Sequence, residues 1–398
     1  MNSNIQRLYE IAQKPSRKII GLMAGTSLDG LDIALCTYQG SGLQTKVTVD
    51  EFETIPFSEE VKNEIRKIFA KKEIEFEQLC LLNPWIGNLH AEMINAFLQK
   101  RNIPNTEIDL IASHGQTVFH APKIQHAKAN FPNATLQIGD GDHIAVKTGI
   151  ITLSDFRQKH CAAGGEGAPL AVYGDYLIFS EKNKNRILLN MGGISNFTFL
   201  SGDLDSEKVF ATDTGTGNTI MDALMQREYG LPYDEDGAKA SAGTVNKSLL
   251  EALKDHPFFT KELPKTTGPE VFNLAYLANA QKTSNTQSET TENILATLSL
   301  FTAETIADAI KQLPSGDHPN EVFMSGGGMH NPAIVNKLKA LFPKTTFLKT
   351  DDIGINGDAK EAVLFATLAN EAIVGGHTDF GKRGGVPSVT MGKISFPN

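Results

Sequence analysis

The chain has 398 residues, 40% hydrophobic and 21% charged, which predicts a globular protein of about two domains rather than one simple core. Thirty-seven basic against 46 acidic residues leave a net charge of −9, with no long Lys/Arg run, and this argues against a nucleic-acid surface. Three distant cysteines (Cys36, Cys80, Cys161) exclude a disulfide framework, and neither a signal-peptide core nor an apolar run of transmembrane length is present, so a cytoplasmic location without membrane contact is expected.

In chain order, residues 1–16 read as a short amphipathic helix or a loose lead-in. "RKIIGLMAGTSLDGLDIALCTYQG" (17–40) reads as strand, polar glycine turn, strand. Residues 58–101 carry helical periodicity with a break expected at Asn83-Pro84. "IDLIASHGQTVFH" (108–120) predicts a buried strand leading into a polar turn with His114 and Gln116. Strand, loop, helix and strand follow over 134–157, then a glycine-rich loop from Gly164 to Pro169.

A second strand–turn–strand, "NRILLNMGGISNFTFLSG" (185–202), echoes the layout of 17–40. A short strand precedes Asp213, and a helix is entered near Asn218. The low-complexity run "TSNTQSETTEN" (283–293) predicts an exposed loop before a helix at 294–312. "PNEVFMSGGGMHNPAIVNKLKALF" (319–342) reads as strand, triple glycine, helix, and 360–373 as a further helix. Alternating strands and helices predict an α/β protein, and the echoed hairpins suggest duplicated lobes.

Three glycine-rich turns, at 25–30, 192–193 and 326–328, each close a strand. Glycine removes the Cβ that would block a phosphate from backbone N–H groups, so the set suits two lobes gripping a nucleotide, although each turn alone also reads as a tight crossing. None is a Walker A loop. "DTGTGN" (213–218) occurs once in an α/β pattern, which excludes an aspartic protease, where two such carboxylates must share a proton. His114, Gln116 and Arg157 sit at strand ends where ligand contacts concentrate, with ordinary turns and ion pairs as the competing reading; Arg157 has the fork for a carboxylate. Glu361 opens a helix, where the dipole favours an acid in any case.

"GLMAGTSLDGLDIAL", "SHGQT", "QIGD", "DFR…AAGGEGAPL", "LLNMGGISN", "DTGTGN", "TTGPEVFN" and "SGGGMHNP" stand in one order. In that order the chain resembles the anhydro-N-acetylmuramic acid kinases from about residue 18 to about 375. The resemblance implies a two-lobed actin-like ATPase (ribonuclease H-like) fold with an interlobe cleft. The expected lobes are 1–140 plus about 362–398, and 141–361. It implies an ATP-dependent kinase that opens 1,6-anhydro-N-acetylmuramic acid with water and phosphorylates O6 during peptidoglycan recycling. A conventional sugar kinase and a non-catalytic ATP-gated switch of the same fold are the alternatives.

By position, the resemblance makes Asp213 the general base on water, with Glu361 a second water-orienting acid. Gly25, Thr26, Ser27, Leu28, Asp29, Gly30, Leu31 and Asp32 match the first ATP-phosphate loop, and Gly192 and Gly193 the second. Gly326, Gly327 and Gly328 would lie against adenosine; Asp29 or Asp32 would be near Mg²⁺. His114, Gln116, Arg157 and Asn218 fall on the sugar side. The implied ligands are ATP, Mg²⁺ and a small amino sugar, and the resemblance allows a homodimer. The chain departs from the family pattern on the substrate side: "DFRQKH" ends in His160 where an Asp is usual, "GDG" stands at 139–141, and "GINGDAKEA" lacks a proline.

Overall fold

A computed structural model describes residues 1–314, 318–375, 380 and 386–398. Its strands, in chain order, are β1 (Ser16–Ala24), β2 (Gly30–Gln39), β3 (Lys46–Pro56), β4 (Leu110–Ala121), β5 (Ala134–Ile138), β6 (Thr152–Ser154), β7 (Asn185–Met191), β8 (Ile194–Leu200), β9 (Phe210–Thr216), β10 (Asn320–Ser325), β11 (Thr346–Lys349) and β12 (Lys393–Ser395). The chain forms two compact units, Met1–Phe179 with Gly354–Asn398, and Ser180–Ile353.

The first unit carries the sheet β3-β2-β1-β4-β6-β12, with β5 paired to β4. The β1–β2 and β2–β3 pairs are antiparallel, and β1–β4 and β4–β6 are parallel. The second unit carries β9-β8-β7-β10-β11, again with two antiparallel pairs followed by two parallel ones. Order and direction repeat, so the echo between 17–40 and 185–202 is a duplicated topology, that of the actin-like, ribonuclease H-like α/β fold.

Both faces of β1 are covered, so it is buried at every position from Ile19 to Ala24. Ile20, Leu22, Ile33, Leu35 and Ile111 join Ile86, Ile94 and Phe97 of the helix Phe76–Lys100 in one apolar core of the first unit. The helix Lys360–Val374 packs on β1, β2 and β4, its residues from Ala362 to Glu371 all buried. Gly21 permits that approach, because a Cβ there would overlap the Ala362 carbonyl. In the second unit Ile187, Leu189 and Phe197 pack with Leu295, Leu298 and Phe301 of the helix Thr291–Lys311.

Several sequence expectations change. The lobe boundaries lie at 179/180 and 353/354 rather than near 140 and 361. The helix Gly141–Thr148 packs on Phe76–Lys100, β6 pairs with β4, and Ala171–Phe179 packs on Lys360–Val374, so each buries its apolar face within the first unit. Residues 376–379 and 381–385 of the expected first lobe lie outside the described residues.

The helix Phe76–Lys100 runs through Pro84 without ending. The Asn83 carbonyl and side chain accept the N–H groups of Asp140 (3.2 Å) and Gly139 (2.9 Å), a tertiary brace across the proline. His114 and Gln116 lie inside β4 rather than in a turn. The run 283–293 is loop only from 285 to 290: the helix Leu274–Ser284 precedes it, and Thr290 caps the helix Thr291–Lys311 through Asn293 N–H. Among the described residues no helix is long and apolar enough to cross a membrane.

Candidate active site

In the second unit, β7 and β8 meet at Gly192-Gly193. The Gly192 carbonyl accepts Asn218 N–H (2.9 Å), and the Gly193 carbonyl accepts Gly217 N–H (2.8 Å) and Thr219 N–H (3.2 Å). The hairpin is thereby sewn to the end of β9 and the start of the helix Thr219–Tyr229. The Asn218 amide donates to the Met191 carbonyl (3.1 Å). The third glycine turn joins this cluster: at Gly326 (φ +79) a Cβ would lie 2.6 Å from Asn190 Oδ1, and at Gly328 2.7 Å from Met191 Cβ. Among the described residues the N–H groups of Gly192, Gly193 and Gly327 have no partner. A patch of free donors on rigid backbone is an anion cradle.

Asp213 stands on β9 of the same unit. The β8–β9 register shifts between Ser195 and Asn196, so Asn196 faces Asp213, Ser195 faces Gly215, and Thr214 has no counterpart. Such a bulge re-aims neighbouring side chains. Asp213 N–H donates to the Lys265 carbonyl (2.9 Å), and Asp213 Oδ2 accepts Thr267 N–H (2.8 Å). Thr212 Oγ1 fastens the same segment by accepting Lys265 N–H (2.9 Å). Burial raises the Asp213 pKa from its ordinary value, the Thr267 N–H opposes this, and the charge of Glu270 adds to it.

The first glycine turn belongs to the first unit. Leu28 takes φ +60 and donates its N–H to the Gly25 carbonyl (3.3 Å). The side chains of Leu28 and Leu31 are in the core, so these two residues can offer a ligand only backbone. Thr26 and Ser27 are exposed, and their N–H groups have no partner among the described residues. Gly30 is required by packing, since a Cβ would overlap the Ile55 carbonyl. Asp32 accepts the Thr54 hydroxyl (2.6 Å). Burial raises its pKa, Thr54 opposes the shift, and the charges of Asp358 and Asp29 add to it.

Beside this turn, Gln116 Nε2 donates to the Gly25 carbonyl (3.2 Å). Arg157, on the helix Phe156–Ala162, donates from Nε to His114 Nε2 (2.9 Å) and from Nη1 to the Gly167 carbonyl (2.7 Å). His114 is buried, and desolvation with the Arg157 charge pushes its pKa down to about 3, leaving a neutral ring. Its Nδ1 and the Ser113 Oγ have no partner among the described residues, and both residues line a cavity of about 640 Å³ with Gly139, Asp140 and Ser154. Glu361, in the first turn of Lys360–Val374, has its pKa raised by burial, with Arg157 and Lys360 pulling the other way.

The first unit thus gathers Gln116 on Gly25, His114 on Arg157, and Glu361 in the field of Arg157 and Asp32. The second gathers Asp213, Asn218 and the two other glycine turns. Sequence reading missed the residues that hold these groups: Lys265 and Thr267 behind Asp213, and Gly167 behind Arg157. The motifs "TTGPEVFN" and "AAGGEGAPL" were the available signal, but the contributing atoms are backbone. Among the described residues no three His, Cys, Asp or Glu side chains could hold a metal by themselves. Asp29 and Asp32 belong to the same turn and the strand it enters, and the charge of Asp29 acts on Asp32.

A sequence model described as anhydro-N-acetylmuramic acid kinase matches residues 17–394. An anhydro-N-acetylmuramic acid kinase of Pseudoalteromonas atlantica (strain T6c / ATCC BAA-1087) is 55% identical over 401 residues, covering 100% of both chains. One from Pseudoalteromonas translucida (strain TAC 125) is 53% identical, again over 100% of both. One from Caldanaerobacter subterraneus subsp. tengcongensis is 39% identical, covering 98% of this chain and 100% of its own.

Proposed function

The chain belongs to the anhydro-N-acetylmuramic acid kinase family, and from that membership we propose how its residues divide an ATP-dependent reaction. The enzyme opens 1,6-anhydro-N-acetylmuramic acid with water and phosphorylates O6, giving N-acetylmuramic acid 6-phosphate and ADP for cell-wall recycling in the cytoplasm.

Asp213 takes a proton from water as the water oxygen bonds to C1. The C1–O6 bond breaks, O6 attacks the γ-phosphorus, and ADP departs. Glu361 helps orient that water. The observation that carries this reading is the setting of Asp213: a half-buried carboxylate on a bulge, fixed by Thr267 N–H, with its proton affinity raised. A base must be ionised yet able to accept a proton, and a raised carboxylate pKa moves it towards that balance. The unpartnered N–H groups at Thr26, Ser27, Gly192 and Gly193 support phosphate binding by the two hairpins. Gly326 to Gly328 serve the adenosine, and His114, Gln116, Arg157 and Asn218 the sugar. Asp29 and Asp32 would hold Mg²⁺, which supplies charge neutralisation on the phosphates.

Incubation with the anhydro sugar, ATP and Mg²⁺ in ¹⁸O-water tests this by mass spectrometry. The expected product gains one phosphoryl group and one labelled oxygen at C1, and Asp213→Asn lowers the rate by about a hundredfold to ten-thousandfold. A phosphorylated product without added water would instead make the protein a conventional sugar kinase.

A further inference from the structure

His160 lies in the last turn of the helix Phe156–Ala162 and is buried. Its Nδ1 accepts Gly167 N–H (2.9 Å) and its carbonyl accepts Gly165 N–H (2.9 Å). The loop wraps the ring closely: a Cβ on Gly165 would lie 2.5 Å from His160 Nδ1 and 2.7 Å from Nε2. Gly167 itself takes φ +79, with Cys161 Sγ and Thr135 Cγ2 on the side a Cβ would occupy (2.8 and 2.9 Å). Neither glycine can be replaced without moving the ring or the loop. Tyr173 packs edge-on against the imidazole at 5.7 Å between centroids and fixes its plane.

The carbonyl of the residue so held, Gly167, accepts Arg157 Nη1 (2.7 Å). Arg157 Nε meets His114 Nε2 (2.9 Å), and its charge acts on Glu361. The N–H···N bond at His160 thus holds the residue whose carbonyl meets a guanidinium three residues earlier in the chain. We propose that His160 is a positioning residue for the sugar: as an acceptor at Nδ1 it sets the Gly167 carbonyl, which in turn aims Arg157. The inference rests on the kinase reading above and on Arg157 serving the sugar.

An acceptor of similar reach is what the position demands, and charge is not. Asn presents a carbonyl oxygen near the place of Nδ1, whereas Leu fills much of the volume with no acceptor and leaves the Gly167 N–H unpaired. Steady-state kinetics of His160→Leu and His160→Asn, with each substrate varied in turn, make the test, and thermal melts run beside them. For His160→Leu the KM for the anhydro sugar rises about tenfold or more, as misplacement of a clamp by a fraction of an ångström commonly produces, while the KM for ATP stays within about twofold. His160→Asn recovers the sugar KM to within about threefold of the wild type.

Equal defects in the two variants, or parallel changes in both KM values, would overturn the positioning role and leave a packing role. An unaltered sugar KM in a folded His160→Leu would overturn it as well. Should His160→Leu fail to fold, the sugar KM of His160→Asn against His160→Gln, whose acceptor sits one methylene further out, decides the same point: equal values overturn the proposal. A wild type with no sugar-dependent ADP release would sink the kinase reading first, and the inference with it.

Discussion

Asp213 shows how a single side chain is tuned by backbone from a distant segment. Thr267 contributes its N–H, not its hydroxyl, and a donor to the ionised form lowers a carboxyl pKa. Thr267→Pro removes that donor, so the Asp213 pKa rises further. The acidic limb of the kcat/KM profile should then move to higher pH, with a rate loss at neutral pH of about tenfold from the looser carboxylate. Thr267→Ala, which keeps the N–H, should leave the limb in place, and a shift in that control would assign the effect to the side chain. Asp213 and Asn218 are conspicuous in the sequence. The supports of Asp213 are not, because any residue but proline could supply the Thr267 N–H and any residue at all the Lys265 carbonyl.

At the scale of elements, the helix Phe76–Lys100 buries His90 completely, with neither ring nitrogen partnered among the described residues. It stacks on Phe57 at 6.3 Å. Burial lowers its pKa from 6.5 to about 4, so the folded state holds the ring neutral where the unfolded chain would protonate it. The unfolded state binds more protons in that window, and stability is therefore complete above pH 6.5 and lost as pH falls from 6.5 towards 4. The slope is about 1.4 kcal/mol per pH unit from this residue. In urea titrations across that range, His90→Phe should flatten the dependence by about that amount; an unchanged slope would mean that His90 does not titrate between the two states. Helical periodicity marked this helix, while its continuation through Pro84 and the tie from Asn83 to the 139–140 loop were not legible in it.

The whole molecule comprises two units with separate apolar cores, each built on the same strand order. Phe97→Ala in the first and Phe301→Ala in the second should each cost about 3–5 kcal/mol. Scanning calorimetry should show each substitution lowering a different component of the unfolding profile; one transition shifted equally by both would mean that the units unfold as one. The sequence by itself determined the α/β class, the paired hairpins, the glycine turns and the family, because periodicity, turn chemistry and motif order are local properties of the chain. Tertiary structure decided the boundaries, the single bulge that sets Asp213, and the His160–Gly167–Arg157 relay. These depend on which backbone groups meet across tens of residues, and a backbone amide or carbonyl looks the same in every residue that carries it.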